Sequence, residues 1–161
     1  MGYLGLGMAG VTALVAFLVW LNRGSHIELR GRIQKVRFQA MDENSAVVIL
    51  DFRFVNPANY AFVVRTVKVL HDDTEGKETE GMVVSEVDAR RLFQYYTALG
   101  QKFNDSLLAR EKVAPRHSMD RMIAARFEMP QSRLEQRARF RILVEDVDGA
   151  VSEISEDARK N

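Results

Sequence analysis

Three histidines, a few close-set acidic groups and eight serines are the side chains here whose types could carry catalysis or hold a metal. His26, His71 and His117 lie far apart, and none has a carboxylate or second histidine at ligand spacing on a helix. Solvated histidines are therefore expected, not a zinc site or a proton relay. Asp146-Val147-Asp148-Gly149 begins like a calcium loop, but its glycine comes two places too early and no glutamate closes the loop. A hairpin turn accounts for it. Asp72-Asp73 with Glu75 reads as a solvated turn before it reads as a hard-cation site. No serine stands in the strand–turn–helix context of an activated nucleophile, and no glycine-rich phosphate loop opens a helix. The chain has no cysteine, which removes disulfides, thiolate metal sites and cysteine nucleophiles. No metal or cofactor is expected, and nothing argues for an enzyme.

Two further groups bear on binding. Asp51 interrupts an apolar strand. It reads as part of a solvent-facing edge with Arg53, the alternative being a buried carboxylate paired with Arg53 or Arg65. In the segment after Ser85, Leu92, Tyr96, Leu99 and Phe103 fall on one helical face and are expected to pack on the domain. That leaves Arg91, Phe93 and Tyr95 outward, residue types enriched at binding hot spots, as a candidate surface for docking a partner protein.

The elements that would position these groups are mostly strands. Apolar and polar residues alternate through Ile27–Arg30 and Ile33–Phe38. From 46 to 55, Ala46, Val48, Leu50, Phe52 and Phe54 face one way, and Val47, Ile49, Asp51, Arg53 and Val55 the other. Asn56-Pro57-Ala58-Asn59 breaks that run. Further strands are expected over Tyr60–Leu70, Thr79–Val84, Met119–Met129, Ala138–Val147 and Ala150–Ile154, the last two joined at Asp148-Gly149. Ser85-Glu86-Val87-Asp88 has the form of a capping box and starts one helix, expected from Val87 to about Leu99. Some seven short strands, one helix and no βαβ rhythm predict a mainly β domain, an immunoglobulin-like β-sandwich with one inserted helix, over residues 24–155. Residues 156–161 read as a charged, frayed tail.

Ahead of that domain, Tyr3 to Leu21 runs for 19 residues without a charge. As a helix it would be about 28 Å long, enough to span a bilayer. With no basic residue before it and no small-residue cleavage site after it, the segment is expected to be a retained single transmembrane helix, residues 1–23. Gly5, Ala9, Ala13 and Ala16 form a stripe of small side chains that would let a second membrane helix approach closely. Arg23, Arg30, Arg32, Lys35 and Arg37 after the span, against Glu28, place the domain on the cytoplasmic side of the inner membrane. The net charge of +1 gives no reason to expect nucleic acid.

The run Ala46–Pro57, ending in Asn56-Pro57 and continuing into Tyr60-Ala61-Phe62-Val63-Val64, resembles the late embryogenesis abundant type 2 (WHy) domain. In that family a strand ends in Asn-Pro and an apolar strand follows. Val113–Ser118 and Ile123–Pro130 are similar to its later strands. The resemblance implies a β-sandwich and a non-enzymatic role in stress protection or binding. The functional expectation is a non-catalytic accessory subunit of a larger membrane complex, its partners being membrane proteins and the lipid bilayer. The alternative is a tethered protective module without a fixed partner.

Overall fold

A computed structural model describes residues 28–156. In chain order it contains β1 (Arg30–Ala40), β2 (Ala46–Val55), β3 (Phe62–Asp72), β4 (Glu78–Val83), helix α1 (Glu86–Tyr95), a 3₁₀ turn (Thr97–Leu99), β5 (Lys112–Val113), β6 (Ser118–Phe127), the short helix α2 (Gln131–Glu135), β7 (Arg139–Asp146) and β8 (Val151–Ser155).

The strands form one sheet, ordered β4-β6-β2-β1-β8-β7-β3-β5, and β4 also pairs with β3. That second pairing turns the row into a circle. Seven strands close a barrel, and β5 hangs on the β3 edge through Phe62↔Val113 and Val63↔Lys112. The expected immunoglobulin-like sandwich is thus corrected to a closed barrel. Alternation reports which face of a strand is buried, and that face looks the same inside a barrel as between two sheets. What separates the two is the partner of the last edge, here β4. Four of its residues pair with β3 and two with β6.

The interior holds the residues that the alternation selected. Ala46, Val48, Leu50, Phe52 and Phe54 of β2 join Phe62, Val64, Ile123, Phe127, Phe140, Ile142 and Val144 in one buried cluster. Five phenylalanines, Phe52, Phe54, Phe62, Phe127 and Phe140, are at most 1% exposed. Burying each stabilises the fold by about 2–3 kcal/mol. Gly81 faces Phe127 so closely that a Cβ there would lie 2.5 Å from the ring. β4 can therefore close the wall only if this position has no side chain. Leu134 of α2, fully buried, packs into the same cluster.

His71 belongs to that interior and not to solvent, which corrects the expectation for it. It is 2% exposed and packs between Phe127 and Phe140, with ring centroids 6.1 and 5.5 Å away. Burial pushes its pKa below the usual 6.5, against a weaker upward pull from Asp73 and the Arg133 backbone. Glu156 is likewise no frayed end. Arg137, on Phe38 and Phe140, donates to both its carboxylate oxygens at 2.8 and 2.6 Å.

The structure gives the single-pass reading no support. No helix among the described residues is long and apolar enough to cross a membrane. The span expected over residues 1–23, with Gly5, Ala9, Ala13 and Ala16, lies outside the described residues. Four of the five basic residues used to orient it, Arg30, Arg32, Lys35 and Arg37, are built into β1. They belong to the fold and not to a free flank, so the cytoplasmic orientation loses its basis, and the described residues give an inner-membrane anchor no support.

Two outcomes test this packing. Gly81→Ala should cost about 1–3 kcal/mol through the clash with Phe127, measured by urea unfolding followed by circular dichroism. Because folding lowers the pKa of His71, the unfolded chain binds the proton more readily, and stability is full above about pH 6.5 and declines as the pH falls below it. His71→Leu should flatten the urea midpoint between pH 7.5 and about 5.5; a slope equal to wild type would refute the assignment.

Candidate functional site

The outward face of β2 is covered. Val47 and Ile49 point out of the barrel beside Met122 and Ala124 of β6, yet all four are at most 2% exposed. Ala89 and Leu99 are buried on them, with Val84, Leu92, Phe93 and Tyr96 packed around. The helix starts where the capping box placed it: the Ser85 hydroxyl accepts from the Asp88 N–H at 3.2 Å. It ends earlier than the apolar spacing suggested. Tyr96 is extended, with φ −110° and ψ 90°, and the chain turns through Thr97–Leu99 to Gly100 at φ 71°. That break lets Leu99 drop onto the wall. It also carries Phe103 away to 67% exposure, where Lys35 lies 5.7 Å from its ring, so the expected packing role of Phe103 is corrected.

Asp51 sits beneath this turn. It is 4% exposed, which corrects the solvent-facing expectation, and its partner is neither Arg53 nor Arg65 but Arg37. The Arg37 guanidinium donates to Asp51 Oδ2 at 2.6 Å and to the carbonyls of Leu99 and Gln101, each at 2.9 Å. Asn104 donates to the other Asp51 oxygen at 3.0 Å. Phe93 lies on the guanidinium, 4.8 Å from ring to carbon. The two buried charges thus pair with each other and make further hydrogen bonds with the covering segment, with Arg37 Nε alone left buried and without a partner. A second fastening lies at the start of α1. Glu86 accepts from the Ser106 N–H at 3.1 Å and pairs with Lys102 at 3.0 Å. Burial raises its pKa, but the hydrogen bonds from Ser106 and Lys102 outweigh that and hold it at about 2.

The docking residues separate. Arg91 and Tyr95 face outward, Tyr95 being 80% exposed. Phe93 turns inward onto Arg37 and is half-buried, so it serves the clamp and not the surface. Beside Arg91 and Tyr95 a groove of about 480 Å³ runs between α1 and the wall. Its floor is Met41, Val47, Val84, Leu92 and Tyr96, and its rim carries Asp88, Arg91, Tyr95 and Arg126. Helical spacing pointed to Arg91 and Tyr95; Met41, Val84 and Arg126 gave no signal, since three separate elements bring them together.

The other sequence candidates are structural. Asp72 is held by Arg139 and Arg141, and its pKa is lowered first by the hydrogen bond from Arg141. Asp73 accepts the N–H groups of Glu75 and Lys77 within its turn. Gly149, at φ 87°, makes the hairpin turn between β7 and β8. Asn56 of the Asn-Pro motif is fully buried, donating to the Tyr60 and Val113 carbonyls and accepting from the Ala58 N–H. His117 is exposed, and His26 lies outside the described residues. Among the described residues no group of three or more histidines and carboxylates could hold a metal. Comparison with protein families, curated proteins and solved structures gives no match.

The clamp sets a test. Arg37→Ala leaves Asp51 charged, buried and short of a partner, and should cost about 3–5 kcal/mol in urea unfolding. Replacing both, Arg37→Met with Asp51→Leu, should recover most of that loss. A single variant as stable as wild type would show that the covering segment does not rest on this pair.

Proposed function

We propose that this protein is a non-catalytic interaction module whose α1 surface docks a partner protein. The observation that carries this reading is the groove beside α1, an apolar cleft edged by an exposed tyrosine and two arginines. Tyrosine and arginine are the residue types that dominate interface energies, and methionine suits a surface that adapts to its ligand. The helix is held by Glu86 at its start, through Ser106 and Lys102, and just beyond its end by the Arg37 contacts to Leu99 and Gln101, so the cleft is formed before any partner arrives. Such pre-organisation lowers the ordering cost of binding. The barrel itself contributes rigidity, since its interior is occupied by side chains.

A photo-crosslinking amino acid placed at Tyr95, in cells that express the chain natively, should yield a discrete adduct with another protein. The same residue at Val151, 53% exposed on β8 and away from α1, should not. No adduct from position 95, or the same adducts from both positions, would count against docking at α1.

A further inference from the structure

The charges around the groove indicate what kind of segment it takes. The floor is apolar, and Met82, 71% exposed and paired with Arg126 across β4 and β6, extends the apolar strip beyond it. The polar rim is unbalanced. Arg126 makes no salt bridge among the described residues; its contact is the Ser45 hydroxyl at 3.4 Å. The nearby carboxylate, Asp42, accepts from the Ser45 hydroxyl at 2.7 Å and the Asn44 N–H at 2.8 Å, and it attracts Arg126 through space without a hydrogen bond to it. On the other side Arg91 lies 3.3 Å from Asp88, both side chains more than half exposed. Asp88 is itself held by the Ser85 hydroxyl at 2.8 Å, in the first turn of α1, where it faces the positive end of the helix. A loose, exposed pair of this kind contributes little. Both guanidiniums therefore have hydrogen-bond donors left to give, while the carboxylates beside them also accept from Ser85, Ser45 and Asn44.

Resting on the docking reading above, we infer that the groove receives a short acidic–apolar peptide segment of the partner protein. One large apolar side chain fills the cleft over Met41, Leu92 and Tyr96, and carboxylates on the segment engage Arg91 and Arg126. Guanidinium and carboxylate match as forks of two parallel hydrogen bonds, which fixes the orientation of the segment as well as its sign of charge. The apolar floor and Asp88 at the rim disfavour a phosphate backbone, whose recognition asks for a continuous basic surface.

The test is selection of short random peptides, displayed on phage, against the immobilised full-length chain. Enriched sequences should combine an aromatic or branched apolar residue with Asp or Glu. Synthetic copies should bind more weakly as salt rises, and should lose about ten-fold or more in affinity to Arg91→Glu with Arg126→Glu. The neutral pair Arg91→Gln with Arg126→Gln should lie between. All these positions are exposed, and circular dichroism of each variant checks that the fold is kept. Met41→Ala with Tyr95→Ala reports whether a peptide uses the groove at all. Peptides that depend on Met41 and Tyr95 but show no acidic preference would overturn this inference and leave the docking reading standing. A selection in which no peptide depends on those two residues would overturn both.

Discussion

The wall of this barrel is only as closed as β4 makes it. Six residues must reach β3 on one side and β6 on the other, and at Gly81 the backbone passes against the Phe127 ring. Other pairings run longer. β2 pairs along its whole length with both β1 and β6, and β3 pairs with β7 over most of its length. The irregularities in register, at Ile33/Lys35 in β1 and at Val64/Thr66 in β3, bend these long strands. Bulges of this kind add the local twist and curvature that closure demands. The interior aromatic cluster presupposes this closure.

Closure also decides what the outside can be. A barrel strand has two faces, and only one is buried by the interior. Val47, Ile49, Met122 and Ala124 give β2 and β6 an apolar outer face as well, which would be unfavourable in water. α1 and the turn after it cover that face. The Arg37–Asp51 pair then holds the cover by taking up backbone carbonyls that the short 3₁₀ turn leaves without helical partners. The groove is the margin of this cover, where Tyr95 and Arg91 overhang and the helix does not quite reach Met41.

Much of this arrangement was legible as pattern. The inward set of β2, the capping box at Ser85, the hairpin at Asp148-Gly149 and the positions of the strands other than β5 follow from spacing and turn chemistry. The sheet partner of β4 does not, because pairing over such sequence distances depends on which edges meet in space. The burial of Asp51 was hidden for a related reason. Its strand alternates correctly, but whether the outer face meets water depends on a helix 35 residues later. His71 was misjudged because a lone polar residue at an inward position carries no mark of the aromatic rings around it. α2 is too short for periodicity to reveal. At the groove, only the residues on the helix itself were readable.

The seam between β1 and β8 has a consequence for when the fold can exist. These strands run parallel and are matched at Arg32↔Ser155, with the Leu29 N–H bound to the Ser152 hydroxyl across 123 residues of sequence. One side of the barrel is thus made from the two extremes of the described chain. Before Val151 emerges during synthesis, β1 and β7 are open edges, and the aromatic interior between them faces water. Late closure of this kind belongs to slow, non-local folding, and it exposes strand edges that invite pairing between chains. Glu156, gripped by Arg137 beside Phe38 and Phe140, is the last described residue to arrive, and with it the seam is latched.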